Sequence, residues 1–198
     1  MFQALNNPQE IRVLHLNVGQ DIDPLRGRLE HVTLADPSRF VAVSYEWGDP
    51  TKTRSNTLGN GSAFPITESL HNALRDIRRD YLSRESRTLW VDAICIDQQN
   101  ITERQHQVSI MSQIYRSATI AITYIGPARD NSDLAIPFAR MLQQCAELTG
   151  GNQPFFSGRY ALPPLSDPRW AALKALILRT WVRQRRYSTM VSKLIGAI

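Results

Sequence analysis

Three short apolar segments, at residues 40–45, 88–92 and 119–125, constrain the fold of this 198-residue chain more than any other feature. They are rich in Val, Ile, Thr and aromatic residues, and continuous apolar runs of this length predict strands that are buried on both faces. Segments whose apolar residues recur at helical spacing alternate with them. Strands that alternate with helices predict an α/β sandwich around a mainly parallel sheet flanked by helices.

Local signals predict the boundaries of several other elements. Residues 11–16 indicate a further strand, and Asn60-Gly61 fits the tight turn of a hairpin. Thr67 predicts the N-cap of a helix, and Thr102 with Gln105 fits a capping box at the start of the next one. The apolar stripe expected for that second helix consists of Val108, Met111, Tyr115 and Ala118.

The last third of the chain differs from the rest in charge. We expect a helix at 133–148 and another that begins near Arg169, separated by a loop rich in Pro and Gly. Residues 168–198 contain seven basic residues and no acid, whereas residues 1–167 carry a net charge of −2. We therefore predict a core domain at 11–150 and a divergent or truncated basic segment at 151–198.

Composition narrows the classes of function. Hydrophobic residues make up 42% of the chain and charged residues 21%, as in an ordinary globular domain. Because the excess of bases lies near the C-terminus and not along the domain, the sequence argues against nucleic-acid binding. No apolar run is long enough for a membrane span, and the N-terminus lacks the pattern of a secretory signal, so we expect a cytoplasmic protein. The four His and two Cys show no metal-ligand spacing.

Polar side chains gather where two of the predicted strands end. The cluster after the strand at 40–45 contains Ser44, Tyr45, Glu46, Trp47, Gly48 and Asp49. The cluster after the strand at 88–92 contains Asp92, Cys95, Asp97 and Gln98, with Glu103 and Arg104 in the next helical turn. Ligands of open parallel sheets bind at the carboxyl ends of the strands, so we expect these residues to form one binding surface.

Each of these residues also has a structural interpretation. Trp47 can cover the end of the sheet or stack on a ligand, and Asp49 before Pro50 suits a turn. Asp97 fits an Asx turn, Glu103 favours a helix N-terminus, and Arg104 can pair with either aspartate. Catalysis by Cys95 would need a neighbouring base, for which the sequence offers His106, although thiols beside strands are usually inert. The cluster is therefore either a functional surface or a network that braces loops.

The two clusters belong to longer motifs that resemble a known family. The segment 40–49, Phe-Val-Ala-Val-Ser-Tyr-Glu-Trp-Gly-Asp, is similar to the first hallmark of the fungal heterokaryon incompatibility (HET) domain. The segment 89–98, Leu-Trp-Val-Asp-Ala-Ile-Cys-Ile-Asp-Gln, resembles the second hallmark. That second match continues through Glu103-Arg104, Gln107-Val108, Met111, Ile114-Tyr115 and Ala118.

The resemblance implies a module of fungal nonself recognition that triggers programmed cell death. It implies partners in the incompatibility pathway, self-association, and a TIR-like or flavodoxin-like sandwich. Some TIR domains cleave NAD with a Glu on a later helix, so an NAD hydrolase is the alternative, with NAD as ligand or substrate and no other cofactor. The later Trp-x-x-Gln-Glu segment of the family is either missing here or survives as Trp181-Val-Arg-Gln184 with Arg185 in place of Glu. This leaves Glu103 as a weak catalytic candidate and favours a non-enzymatic chain.

Overall fold

A computed structural model describes residues 2–35, 40–58, 62–80, 88–148 and 162–179. Its seven strands are β1 (Glu10–Leu16), β2 (Arg26–Thr33), β3 (Val41–Tyr45), β4 (Arg54–Leu58), β5 (Ser62–Ile66), β6 (Thr88–Trp90) and β7 (Ile120–Tyr124). The helices within these ranges are α1 (Glu68–Asp80), α2 (Asp92–Cys95), α3 (Ile101–Ser109), α4 (Met111–Ser117), α5 (Ser132–Leu148) and α6 (Pro168–Ile177). The predicted α/β class is confirmed.

The three apolar segments lie side by side in one sheet, as predicted. The sheet has the strand order β5-β4-β2-β1-β6-β3-β7, and β3 runs parallel to both β6 and β7. Val41 is opposite Leu89 on one side and Ile120 on the other. Strands β3 and β6 are buried on both faces, as predicted for continuous apolar runs. The same prediction is wrong for β7, which is an edge strand with Ile120 45% exposed.

The other half of the sheet corrects the prediction of a mainly parallel arrangement. Strand β1 is antiparallel to β2 and to β6, and β4 is antiparallel to β5, so the sheet is mixed. Strand β2 was not predicted from the sequence. Its first residues, Arg-Gly-Arg-Leu-Glu, are mostly polar, and Arg26 and Arg28 are exposed. It becomes a strand through its seven-residue register with β1, which runs from Glu10 opposite Thr33 to Leu16 opposite Gly27.

The helix that follows β5 agrees with the sequence in detail. The hydroxyl of Thr67 accepts a hydrogen bond from the amide of Leu70 at 3.2 Å, which caps α1. The predicted apolar stripe is buried: Leu70, Ala73, Leu74 and Ile77. Both strands predicted around Asn60-Gly61 are present and antiparallel, while the turn itself lies outside the described residues.

The next helical segment begins and packs differently from its prediction. Asn100 is the N-cap of α3, and its side chain accepts from the amide of Glu103, so the capping box of Thr102 and Gln105 is wrong. The helix is interrupted at Ile110, whose φ of −97° and ψ of 4° separate α3 from α4. Val108, two residues before this interruption, is 54% exposed and does not join the predicted apolar stripe.

The chain divides into two compact units, with the boundary after Gly126. The first unit contains the sheet and a core that includes Leu14, Trp90 and Ile114. Strand β6 ends at Trp90 and not at Asp92 as predicted, because residues 92–95 turn into the single helical turn α2.

The second unit contains α5 and α6, close to their predicted positions. Asp167 caps α6, and the rings of Phe138 and Trp170 meet edge to face with centroids 4.7 Å apart. Among the described residues, no helix has the length and apolar character to cross a membrane. The division at residue 150 stays a prediction, since residues 149–161 and 180–198 lie outside the described ranges, as do Trp181 and Arg185.

Candidate functional site

The two sequence motifs are joined by a hydrogen bond between Trp47 and Asp92. Because β3 and β6 are parallel neighbours, the loops that follow them leave the same edge of the sheet. The indole Nε1 of Trp47 donates to Oδ2 of Asp92 at 3.2 Å, and the Trp47 side chain is 43% exposed. The prediction that these two residues converge is therefore confirmed.

Asp92 also organises its own loop. Its Oδ1 accepts from the amide of Ala93 at 2.7 Å, and its carbonyl oxygen accepts from the side-chain amide of Gln98 at 2.9 Å. Burial raises the pKa of Asp92 to about 6, against the opposing effect of the hydrogen bonds from Ala93 and Trp47. The carboxyl group is thus held in a place where its charge is costly.

A buried arginine that the sequence analysis did not single out lies behind this edge. Arg12, in β1, is 1% exposed and donates to both carboxylate oxygens of Glu103, at 2.5 and 3.1 Å. The same carboxylate accepts from the amide of Asp97 at 2.8 Å. A single ion pair therefore connects β1, the loop after β6 and the first turn of α3.

Arg12 contacts three further groups. Its guanidinium donates to the carbonyl oxygens of Cys95, at 3.3 Å, and of Gln3, and it stacks 5.0 Å from the ring centroid of Phe2. The available signal was a charged residue directly between the apolar Ile11 and Val13, since a charge in a buried strand needs a buried partner. The identity of that partner was not visible, because Glu103 is 91 positions away.

Glu103 is occupied by this network and not directed toward solvent. Its side chain is 9% exposed. Burial alone would raise its pKa, but the hydrogen bonds from Arg12 and from the Asp97 amide outweigh burial and hold the pKa of Glu103 below its ordinary value. With both oxygens engaged, the carboxylate acts as a structural anchor.

Gly48 and Asp49 shape the turn after β3. Oδ1 of Asp49 accepts from the amide and the hydroxyl of Thr51, at 2.8 and 2.7 Å, and these bonds lower the pKa of Asp49. Gly48 has a φ of +62°, which favours glycine, and a Cβ there would come within 3.3 Å of Ser69. The structural interpretation of this part of the motif accounts for both residues.

Two of the predicted surface residues lie inside the protein. Tyr45 is 4% and Cys95 1% exposed, and Ser44 is half-buried. The Cys95 sulfur accepts from the amide of Val91 at 3.3 Å, and burial raises the pKa of the thiol to about 12. His106 bonds the carbonyl of Pro8 at 2.7 Å. Cys95 is therefore a packing residue and not part of a surface.

Asp97 and Gln98 stay with Asp92 and Glu103, whereas Arg104 does not join them. Oδ1 of Asp97 accepts from the amide of Gln99 at 3.0 Å, which is the expected Asx turn. Asp97 and Gln98 line a cleft of about 390 Å³ together with Phe64 and Lys52. Arg104 is exposed on α3, and within the described part of the chain it pairs with neither Asp49 nor Asp97.

The described residues contain no group of His, Cys, Asp and Glu suited to a metal ion.

Comparisons with known proteins agree with the two motifs. The model of one family, described as heterokaryon incompatibility protein (HET), matches residues 40–185. A relative from Neurospora crassa, heterokaryon incompatibility protein 6, OR allele, is 36% identical over 141 residues, which cover 66% of this chain and 21% of the relative. The matched region therefore spans about a fifth of that relative's length. No solved structure matches the chain.

Proposed function

We propose that this chain, which belongs to the heterokaryon incompatibility family, is the signalling module of a fungal nonself-recognition protein. Its output is growth arrest and programmed cell death, its site of action is the cytoplasm, and its partners are other proteins of the incompatibility pathway. Family membership and the relative's name support this role.

The observation that carries the proposal is the bond between Trp47 and Asp92. It connects the hallmark segment after β3 to the one after β6 and leaves 43% of a large aromatic side chain in solvent. Exposed Trp residues held in a fixed orientation are favoured at protein interfaces because they add contact area with little loss of conformational entropy. Trp47 is therefore the residue that we assign to contact with a partner.

Replacement of Trp47 by Ala separates signalling from stability. We expect Trp47→Ala to abolish the cell death caused by inducible expression of this chain in a filamentous fungus, measured as colony survival. The melting temperature should fall only slightly, because a partly exposed hydrogen bond contributes about 1 kcal/mol. Gln113→Ala, at an exposed position of α4, is the matched control and should kill like the wild type. Undiminished killing by the Trp47 variant would contradict the proposed role.

The TIR-like relationship is a second part of the proposal. The parallel arrangement of β6, β3 and β7, with both motifs at the carboxyl ends of β3 and β6, is consistent with it. A TIR-like relationship raises the alternative that the chain cleaves NAD. That reaction passes through an oxocarbenium-like state, which a free carboxylate stabilises. Glu103 does not suit that task, because Arg12 and the Asp97 amide already bind its carboxylate.

We therefore predict that the purified chain does not release nicotinamide from NAD at a rate typical of an enzyme. The measurement is nicotinamide release followed by chromatography, with wild type and Glu103→Gln compared at equal concentration. Both should match the buffer blank. Turnover by the wild type that disappears in the Glu103 variant, with the fold of that variant intact by circular dichroism, would place a catalytic carboxylate at this edge.

A further inference from the structure

Several separate parts of the chain form the cleft that Asp97 and Gln98 line. The loop after α2 supplies these two residues, the loop between β3 and β4 supplies Lys52, and β5 supplies Phe64. Phe2 forms a further part of the lining. All of these residues belong to the first unit of the chain. The volume of about 390 Å³ lies near the lower end of the range for small-molecule sites, so the cleft suits a small ligand.

The apolar part of the cleft is held in a fixed arrangement. The rings of Phe2 and Phe64 meet edge to face, with their centroids 6.2 Å apart and their planes at 88°. The guanidinium of Arg12 lies 5.0 Å from the ring centroid of Phe2, and this cation–π contact helps to fix the ring. Ile96, which is 1% exposed, adds an aliphatic surface. Two perpendicular rings beside an aliphatic side chain suit the aromatic or large aliphatic group of a ligand.

Two side-chain oxygens of the cleft have no donor among the described residues, although their side chains are held in place. Oδ1 of Asp97 accepts from the amide of Gln99 at 3.0 Å, which leaves Oδ2 for a ligand. The side-chain amide of Gln98 donates to the carbonyl oxygens of Asp92, at 2.9 Å, and of Ile96, at 3.4 Å, which leaves its Oε1. A carboxylate and an amide oxygen on consecutive residues can both accept from one ammonium group, since that group has three N–H donors.

Lys52 gives the same cleft a positive charge. It is exposed, and neither Lys52 nor Asp97 takes part in an ion pair with another described residue. The charge of Glu103, which accepts from the Asp97 amide, is already compensated by Arg12. The cleft therefore offers one cation and one anion that are not paired with each other. A ligand that carries one positive and one negative group can pair with both.

From these features we propose that the cleft binds a free α-amino acid with a large apolar side chain, such as phenylalanine. The ammonium group of the ligand donates to Asp97 and Gln98, its carboxylate pairs with Lys52, and its side chain contacts Phe2 and Phe64. NAD has no ammonium group to pair with Asp97, so this class of ligand differs from the nucleotide considered above. The site goes beyond the proposed signalling function, and Trp47 does not line it.

Titration of the 198-residue chain with L-phenylalanine tests the site without any change in the protein. Chemical shifts of the backbone amides, followed by two-dimensional NMR, report both the affinity and the place of binding. We expect a Kd on the order of 1 mM, as is usual for a ligand of this size, with shifts at Ala93, Gln98 and Gln99.

Three related compounds each lack one group of the ligand. Phenylalaninamide lacks the carboxylate and should bind about fivefold more weakly, because Lys52 is exposed. N-acetylphenylalanine lacks the ammonium group and should bind at least about tenfold more weakly, because its loss removes charged hydrogen bonds to Asp97 and Gln98. Glycine lacks the side chain and should also bind at least about tenfold more weakly than phenylalanine, since it buries no apolar surface against Phe2 and Phe64.

Two variants, checked for an intact fold by circular dichroism, assign the charged contacts. Asp97→Asn keeps an oxygen for the Gln99 amide but removes the charge, and should weaken the binding of phenylalanine at least about tenfold. Lys52→Ala should weaken phenylalanine about fivefold but leave phenylalaninamide unchanged. Arg116→Ala, at an exposed cation of α4, is the matched control and should bind like wild type. No binding at about ten times the expected Kd, shifts outside the cleft, or equal affinity for all four compounds would each overturn the proposal. A Lys52 variant that weakens the amino acid and its amide alike would also overturn it.

Discussion

Replacement of Arg12 by Ala should be among the most damaging single changes in this protein, with a loss of about 3–5 kcal/mol in the free energy of unfolding. The substitution leaves the buried carboxylate of Glu103 without its cation and removes the donor to the carbonyl of Cys95. An uncompensated buried charge costs more than the lost attraction itself. Urea denaturation, monitored by tryptophan fluorescence, measures the change.

Two further variants keep this prediction testable if Arg12→Ala does not fold. The double variant Arg12→Met/Glu103→Leu removes both charges together and should be more stable than either Arg12→Ala or Glu103→Ala, because apolar residues of similar size can replace a buried ion pair. Arg28→Ala removes an exposed ion pair with Glu30 at 2.9 Å and should cost less than about 1 kcal/mol. Equal losses for Arg12 and Arg28 would mean that the buried pair has no special role.

The second large effect is expected at Asp92, as a change in the pH dependence of stability. The pKa of Asp92 is about 6 in the folded protein and near its ordinary value of 3.8 in the unfolded chain. Between these two values the folded state binds more protons, so stability contributed by this group is present below pH 4 and is lost as the pH rises to 6. Above pH 6 the contribution no longer changes.

Asp92→Asn removes the charge and should keep an oxygen that accepts from Ala93 or Trp47. We expect this variant to exceed wild type in stability at pH 7 by on the order of 1–2 kcal/mol, and the difference to vanish near pH 4. Denaturation of both proteins at several pH values gives the difference directly, and the contributions of other acids cancel. Asp49→Asn is the control, since hydrogen bonds from Thr51 lower the pKa of Asp49 and its replacement brings no gain at pH 7. A pH-independent difference for Asp92 would show that its charge is not buried at a cost.

The elements that sequence analysis predicted well are those whose signal is local. Strands β3, β6 and β7 are continuous apolar runs, and α1 has both a Thr67 cap and a regular apolar stripe. Such patterns predict an element without knowledge of its neighbours, because the spacing of apolar residues along the chain indicates whether a strand or a helix forms. The convergence of Trp47 and Asp92 followed from the same reasoning, since parallel neighbouring strands end at one edge.

The predictions that failed depended on partners far away in the sequence. Strand β2 exists because it pairs with β1. The N-cap of α3 is Asn100, two residues before the predicted Thr102, because its side chain accepts from the amide of Glu103. Val108 has the spacing of a buried stripe, but its side chain is 54% exposed in α3.

The α/β class, the parallel core strands and the family follow from the amino-acid sequence without the fold, because each rests on a contiguous pattern of residues. The roles of the motif residues depend on the folded structure. It buried Cys95 and Tyr45, engaged Glu103 with Arg12, and left Arg104 in solvent. The physical reason is that a charged or polar side chain takes its role from the partner that folding brings within hydrogen-bond distance, and Arg12 and Glu103 are 91 positions apart.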